Sequence, residues 1–213
     1  MYVCKRDFSR ISICRLFPMI CISFLASCSA YVPSNTEDAC QIFEGNIDWY
    51  RDVKISEKRW GMPAHVIMAF VYQESSYRAK ARPKRPTFFF IPLPRRSSAY
   101  GYAQAQDPAW NDYRRETGNW GHDRDDFEDA VNFIGWYSNK STKVLGIAKS
   151  DAYSQYLAYH EGWTGYRNKS FKKKPSLIKA AEKVRRISSQ YEKQLHKCEE
   201  RLRRKSKNWW FFN

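Results

Sequence analysis

One glutamate lies where its surroundings favour proton transfer. Glu74 follows an apolar run that starts at Pro63, a residue suited to the first helical position, and it continues the helical face of Ile67 and Val71. Burial on such a face and the nearby helix C-terminus both raise the pKa of a carboxyl group. An acid that stays protonated near neutral pH can protonate a leaving-group oxygen. The alternative is that Glu74 faces solvent or pairs with Arg78.

Two further blocks follow Glu74-Ser75 along the chain. They are Tyr100-Gly101-Tyr102-Ala103-Gln104 and Ala158-Tyr159-His160-Glu161-Gly162. Over roughly residues 60–168, the three blocks resemble the lytic transglycosylase family with a soluble-lytic-transglycosylase-like domain, a goose-lysozyme-like group that acts on bacterial peptidoglycan. That family carries Glu-Ser, then Gly-x-x-Gln, then Ala-Tyr-Asn-x-Gly. His160 stands where the family has Asn, and a long insert separates the first two blocks.

The resemblance implies that a single carboxyl group does the chemistry. Glu74 would protonate the glycosidic oxygen between MurNAc and GlcNAc and then accept a proton. The C6 hydroxyl of the same muramic acid would attack, which gives a 1,6-anhydro product and needs no positioned water. Most glycosidases use two carboxylates, so one competing hypothesis is a goose-type lysozyme-like hydrolase that uses water, with Glu161 or another acid as the base. The other is a non-catalytic, lipid-anchored protein that binds peptidoglycan.

Glu161 is expected to have a structural role. On a continuous helix it points about 200° away from Tyr159, and it can pair with Arg167 or Lys169. If Gly162 unwinds the helix, that direction changes, so catalytic duty is the alternative.

The other residues of the three blocks are predicted to bind or orient the sugar. Ser75 would orient the reaction centre, or else cap backbone carbonyls at the helix end. The Gln104 amide suits an N-acetyl or hydroxyl group, or else lies at the surface. Tyr159 would hydrogen-bond Glu74 as in the family, or else belong to the core. Further candidates for substrate binding are Gly101, His160 and Gly162, with Tyr77, Tyr100 and Tyr102 as stacking faces for sugar rings.

Residues 1–27 are predicted to be a lipoprotein signal peptide. A basic start precedes the apolar run 16–24, which is far shorter than the about 20 residues that span a bilayer. The end of the leader resembles a lipobox in which Cys28 is acylated, and Ser29 resembles the outer-membrane sorting signal. The expected location is the periplasmic face of the outer membrane, held by the N-terminal lipid. Simple secretion is the alternative.

Cys40 and Cys198 are the two cysteines that neither the leader nor the lipid accounts for. In an oxidising compartment, two such thiols on terminal helices favour a disulfide. Two separate buried thiols are the alternative.

The chain is basic, with a formal net charge of +15, of which +12 remains once the leader is removed. A basic surface suits the carboxylates of peptidoglycan stem peptides and anionic lipid headgroups. Export and the lack of a recognisable nucleic-acid-binding motif argue against nucleic acid as a partner. No metal-ligand spacing and no Gly-rich phosphate loop occurs, so no metal and no cofactor is expected. We expect a monomer.

The predicted fold class is mainly α, a lysozyme-like single helical domain with an insert loop rich in Pro, Phe and Arg. The domain spans 38–207, between an anchor linker (28–37) and an aromatic tail (208–213). About 185 residues after processing suffice for one core. One helix is predicted from Asp38 to Trp60, and another from its cap at Asp107 to a stop at Gly118. Three further helices are predicted to start at the acidic residues 125–129, at Asp151 and, for a long helix, at Pro175.

The insert between Arg82 and Ser98 contains four prolines, which forbid a regular helix. Its apolar cluster is Phe88-Phe89-Phe90-Ile91. One interpretation is a lid or wall beside Glu74 that meets stem-peptide carboxylates. The other is a surface loop that tucks its phenylalanines onto the core. The arginines of the insert are Arg82, Arg85, Arg95 and Arg96.

Overall fold

The mainly α prediction is confirmed by a computed structural model, which describes residues 30–95 and 97–208. The predicted signal peptide, Cys28, Arg96 and residues 209–213 of the predicted tail lie outside the described residues. The elements are α1 (Ala39–Gly45), α2 (Ile47–Trp60), α3 (Ala64–Ser75), β1 (Thr87–Phe88), β2 (Ile91–Pro92), α4 (Asp107–Thr117), α5 (Phe127–Leu145), α6 (Ala152–Arg167), a 3₁₀ turn (Ser170–Lys173) and α7 (Pro175–Asn208).

The single helix expected from Asp38 to Trp60 is two helices, and that prediction was wrong. The chain breaks at Asn46, whose backbone is extended (φ −146°, ψ 96°). Its side chain accepts a hydrogen bond from the N–H of Asp48 and so caps α2. Asn competes well with helical hydrogen bonding in this way, which explains why the apolar spacing alone did not reveal the break.

Helix α3 starts one residue later than predicted, and helix α4 starts one residue earlier. Pro63 is extended (φ −60°, ψ 143°) and occupies the cap position, so α3 begins at Ala64. Asp107 is the first residue of α4, and Gln106 precedes it as the cap. The stop at Gly118 and the Asp151 cap are confirmed.

Helix α3 lies at the centre of the fold, packed against α2, α5 and α7. Its six consecutive residues 66–71 are all buried, so the helix is apolar on every side rather than along one stripe. The long α7 begins at Pro175 as predicted and also packs on α1, α2 and α6. Its buried side chains include Ile187, Tyr191, Leu195, Cys198 and Leu202. A helix enclosed in this way holds its last turn, which carries Glu74, in a fixed position.

The predicted disulfide between Cys40 and Cys198 is confirmed. It joins α1 to α7 across 158 residues of sequence, with the two Cα atoms 6.1 Å apart. The bridge therefore ties the first helix to the last.

The insert forms a short hairpin that projects from the helical body. Strands β1 and β2 pair antiparallel, with Phe88 opposite Ile91. The turn residues Phe89 and Phe90 have positive φ, and their exposed fractions are 80% and 100%. The interpretation that these phenylalanines pack on the core is wrong, because the hairpin turns them outward. Within residues 30–95 and 97–208, no helix is long and apolar enough to pass through a lipid bilayer.

Candidate active site

Glu74 lies in the last turn of α3 and is half-buried. Burial raises the pKa of its carboxyl group to about 7, while a hydrogen bond from Tyr156 acts in the opposite direction. Arg78 does not pair with it, because the Arg78 Nε donates to the carbonyl oxygen of Ser75 at 3.0 Å. Glu74 is therefore an acid that holds its proton near neutral pH and can also release it.

Tyr156, which is not among the predicted site residues, is the tyrosine that hydrogen-bonds Glu74. The hydrogen bond predicted from Tyr159 is wrong: its hydroxyl donates to the carbonyl oxygen of Ala103 at 2.5 Å. The two tyrosines lie three residues apart on the same face of α6, so spacing alone could not separate them. Phe70, one turn before Glu74, packs edge-to-face against both rings at 5.4 and 5.3 Å.

A cleft of about 410 Å³ opens beside Glu74. It brings together the predicted residues Glu74, Gln104, Tyr159, His160 and Gly162, while the other predicted site residues do not line it. The remaining lining residues are Ser97, Ala99, Ala105, Gln106, Pro108, Ala109, Phe133, Tyr137 and Glu161. A larger groove of about 1120 Å³ runs along α7 and contains none of the three sequence blocks.

Gly101 allows the loop before α4 to approach the rest of the protein closely. Its φ is +80°, and an added Cβ would lie 1.8 Å from the carbonyl oxygen of Arg124. The amide nitrogen of Gln104 donates to the carbonyl oxygens of Ala81 (2.9 Å) and Gly101 (2.8 Å). Both hydrogens of this nitrogen hold the loop in place, which leaves the amide oxygen for the predicted contact with sugar.

Ser75 is buried, and its hydroxyl donates to the Val71 carbonyl at 3.1 Å. The backbone-capping interpretation therefore describes it better than a role at the reaction centre. Tyr77 and Tyr102 are buried in the core, so the prediction that they stack on sugar was wrong. The Tyr100 hydroxyl donates to Asp125 Oδ2 at 2.8 Å, outside the cleft.

Glu161 has a structural partner, although not one of those predicted. Its carboxylate accepts hydrogen bonds from Lys174 Nζ at 2.7 Å and from the Ser170 hydroxyl. Burial acts to raise its pKa, but these bonds and a contact with His160 outweigh that effect and lower it. Glu161 is thus held as a carboxylate by its neighbours.

Gly162 interrupts α6 just after this carboxylate. Its φ of 71° and ψ of 165° are non-helical, and a residue with a side chain rarely adopts them. The kink occurs where α6 borders the cleft, and Gly162 itself lines the cleft. His160 is exposed, with Nδ1 lying 3.4 Å from Glu161 Oε1. Among residues 30–95 and 97–208, no group of His, Cys, Asp and Glu could hold a metal ion.

Residues 16–198 match the family model described as the transglycosylase SLT domain. The chain therefore belongs to this family of lytic transglycosylases, whose substrate is peptidoglycan. No curated protein and no solved structure matches the chain. The family match begins at residue 16, inside the segment 1–27 that is predicted to be a signal peptide.

Proposed function

We propose that the protein cleaves the β-1,4 bond between MurNAc and GlcNAc of peptidoglycan and forms 1,6-anhydroMurNAc, with Glu74 as general acid and base. The observation that supports this most is the carboxyl group of Glu74, whose pKa is raised to about 7 at the cleft of an SLT domain. Such a group is half-protonated near neutral pH, which suits both roles.

Glu74 acts twice on one sugar. The protonated carboxyl group first gives its proton to the glycosidic oxygen, so the bond to the muramic C1 breaks and GlcNAc leaves with a free hydroxyl. The C6 hydroxyl then attacks C1, and the Glu74 carboxylate takes up the hydroxyl proton, which restores the acid. The hydrogen bond from Tyr156 stabilises the carboxylate between these two steps. Attack within the same ring replaces a second carboxylate and a bound water.

The hydrolase alternative needs a second carboxylate to activate water. Glu161 is the other carboxylate that lines the cleft, and its pKa is lowered by Lys174 and Ser170. A carboxylate that already accepts these two hydrogen bonds is a weak base, because taking a proton would break them. This favours the transglycosylase reaction over hydrolysis.

The proposal places the enzyme at the periplasmic face of the outer membrane, as a monomer with lipid on Cys28. The support is the leader sequence, which ends in Leu25-Ala26-Ser27-Cys28. The Cys40–Cys198 disulfide fits the oxidising compartment that this location implies.

The test is digestion of purified peptidoglycan in water enriched in heavy oxygen, followed by mass spectrometry. The proposed reaction releases anhydromuropeptides, which are one water lighter than hydrolysis products and carry no heavy oxygen. Labelled reducing ends would establish the hydrolase instead. Binding to sacculi without any product would establish the non-catalytic alternative.

A further inference from the structure

A second pocket, of about 470 Å³, adjoins the cleft of Glu74. Ser97 and Ala99 line both of them, so the two spaces are neighbours along the insert. We call it the arginine pocket, because four arginines line it and Asp107 is its one acidic residue. The arginines are Arg82, Arg85, Arg95 and Arg124.

Two of these arginines brace the walls of the arginine pocket. Arg124 donates to the carbonyl oxygens of Ser98 (3.0 Å) and Ala105 (2.9 Å), and it pairs with Asp107 at 2.8 Å. Arg95 donates from Nε to the carbonyl oxygen of Pro83 at 3.1 Å, which closes the base of the insert. The one acidic residue of the pocket is thus already neutralised, so the pocket stays strongly positive.

Arg82 and Arg85 are the two exposed cations of the arginine pocket. No carboxylate in the described part of the chain forms an ion pair with either. The guanidinium of Arg82 stacks on the ring of Tyr100, with Cζ 4.1 Å from the ring centre. Tyr100 is itself fixed by its hydrogen bond to Asp125. A stacked guanidinium is restrained before any ligand arrives, which lowers the entropy lost on binding.

We infer that the arginine pocket binds carboxylates of the stem peptide carried by the muramic acid at the cleavage site. This inference rests on the proposed function. The stem peptide is attached to the same sugar whose C1 reacts at Glu74, so a pocket that shares two lining residues with the cleft is within its reach. Guanidinium groups match carboxylates with two parallel hydrogen bonds. The pocket would make peptide-bearing glycan a better substrate than glycan stripped of its peptides.

The first test compares cleavage of intact glycan with cleavage of glycan stripped by an amidase. For the wild-type protein we expect kcat/KM to be about tenfold or more higher on intact glycan, as one or two charged hydrogen bonds allow. The Arg82→Ala/Arg85→Ala variant should lose that preference and keep its rate on stripped glycan. The Arg82→Lys/Arg85→Lys variant keeps both charges but lacks the planar guanidinium groups. Its preference for intact glycan should lie between that of the wild-type protein and that of the double alanine variant.

The matched control is Arg185→Ala/Arg204→Ala, which removes two exposed arginines of α7 that pair with Glu182 and Glu200. It loses the same charge and should keep the wild-type preference. Thermal melting of all variants establishes that they are folded. Equal rates of the wild-type protein on both substrates would overturn the inference, as would an equal loss of preference in the control.

The second test does not need turnover. The Glu74→Gln variant is titrated with MurNAc-tripeptide, with the same compound after its carboxylates are amidated, and with MurNAc alone, and binding is followed by calorimetry. We expect binding of the free carboxylates to be about tenfold tighter than that of the amide, and Arg82→Ala/Arg85→Ala to abolish the difference. Equal binding of acid and amide overturns the inference. A wild-type protein without cleavage products, but with this binding difference, refutes the proposed function alone.

Discussion

The hydroxyl of Tyr156 donates a hydrogen bond to the carboxyl group of Glu74 and so connects α6 to the last turn of α3. Burial favours the neutral acid, and this bond favours the carboxylate. Their balance leaves the pKa of Glu74 at about 7, within the range in which one group can both give and take a proton. Burial, and then the pairing with Glu74, raise the pKa of Tyr156, which keeps its proton and remains a donor.

Replacing Glu74 by Gln should abolish turnover. Gln has nearly the same shape but transfers no proton, and general acid catalysis contributes about 10²–10⁴-fold. Release of muropeptides from purified sacculi measures the loss, and sacculus pelleting should show unchanged binding. Full activity of this variant would refute the assignment of Glu74.

The same variant tests the raised pKa through stability. In the wild-type protein the pKa of Glu74 is about 4.5 in the unfolded chain and about 7 in the folded chain. The free energy of unfolding therefore falls as pH rises through this interval. The Glu74→Gln variant has no titrating group at this position, so it should not show this loss of stability, which is on the order of 3 kcal/mol. Its melting temperature relative to wild type should therefore be higher at about pH 8 than at about pH 4. A pH-independent difference would show that the pKa is not raised.

Tyr156→Phe should move the pH dependence of cleavage. Without the hydrogen bond that favours the carboxylate, the pKa of Glu74 rises above about 7 and the alkaline limb of kcat/KM shifts to higher pH. Tyr113→Phe is the control, because Tyr113 is a buried tyrosine that hydrogen-bonds His122 at 2.8 Å. The control should keep the wild-type limb. A Tyr156→Phe limb that stays in place, or moves to lower pH, contradicts the proposed pairing.

Glu161→Gln should keep much of the activity, with anhydromuropeptides as the main product. The Glu161 carboxylate accepts hydrogen bonds from Lys174 and Ser170, so its replacement mainly weakens the packing after the kink at Gly162. Thermal melting should show a modest decrease. If this variant melts normally and yet stops cleavage as fully as Glu74→Gln, two carboxylates are required and the hydrolase reaction replaces the proposed one.

Gly101→Ala should destabilise the protein more than Gly118→Ala. Both residues have positive φ, for which an L-residue costs about 1–2 kcal/mol. Only Gly101 faces a clash, with the Arg124 carbonyl 1.8 Å from the added Cβ, whereas nothing lies within 4 Å at Gly118. Denaturant unfolding measures the difference, and cleavage should fall only in the Gly101 variant, because its loop carries Gln104 to the cleft. Equal effects would mean that the loop adjusts freely.

Removing the disulfide by Cys40→Ser/Cys198→Ser should lower the free energy of unfolding by about 2–4 kcal/mol. The bridge closes a loop across 158 residues of sequence, which restricts the unfolded chain. Denaturant unfolding of wild-type protein with a reductant should reproduce the loss, and the variant should not respond to the reductant. Free thiols on both cysteines in exported protein would exclude the bridge.

Much of the fold could be predicted from local pattern. The apolar spacing of α7 placed Cys198 on its buried side, and the cap at Asp151 set the start of α6. Glu74 was identified because it continues the buried positions of α3. The break at Asn46 was missed, because a side chain that caps a helix competes with apolar spacing without changing it.

The roles of the tyrosines could not be predicted, because they depend on how helices meet. Tyr156 and Tyr159 share one face of α6 and pack alike against Phe70, yet Tyr156 hydrogen-bonds Glu74 while the Tyr159 hydroxyl donates to the carbonyl oxygen of Ala103. Tyr77 and Tyr102 lie beside motif residues in sequence but pack on Trp49 in the core. Position in a motif thus identified the segment that forms the site, and tertiary packing assigned the individual side chains.

The disulfide between α1 and α7 also bears on the stage of synthesis at which the fold can be completed. Cys198 is close to the end of the described chain, and α7 covers α3 as well as α1. The helix that carries Glu74 therefore has no complete surroundings until α7 has been made. A chain cut short before α7 would expose the apolar sides of α3. Enclosure of α3, and with it the fixed position of Glu74, must therefore follow synthesis of α7.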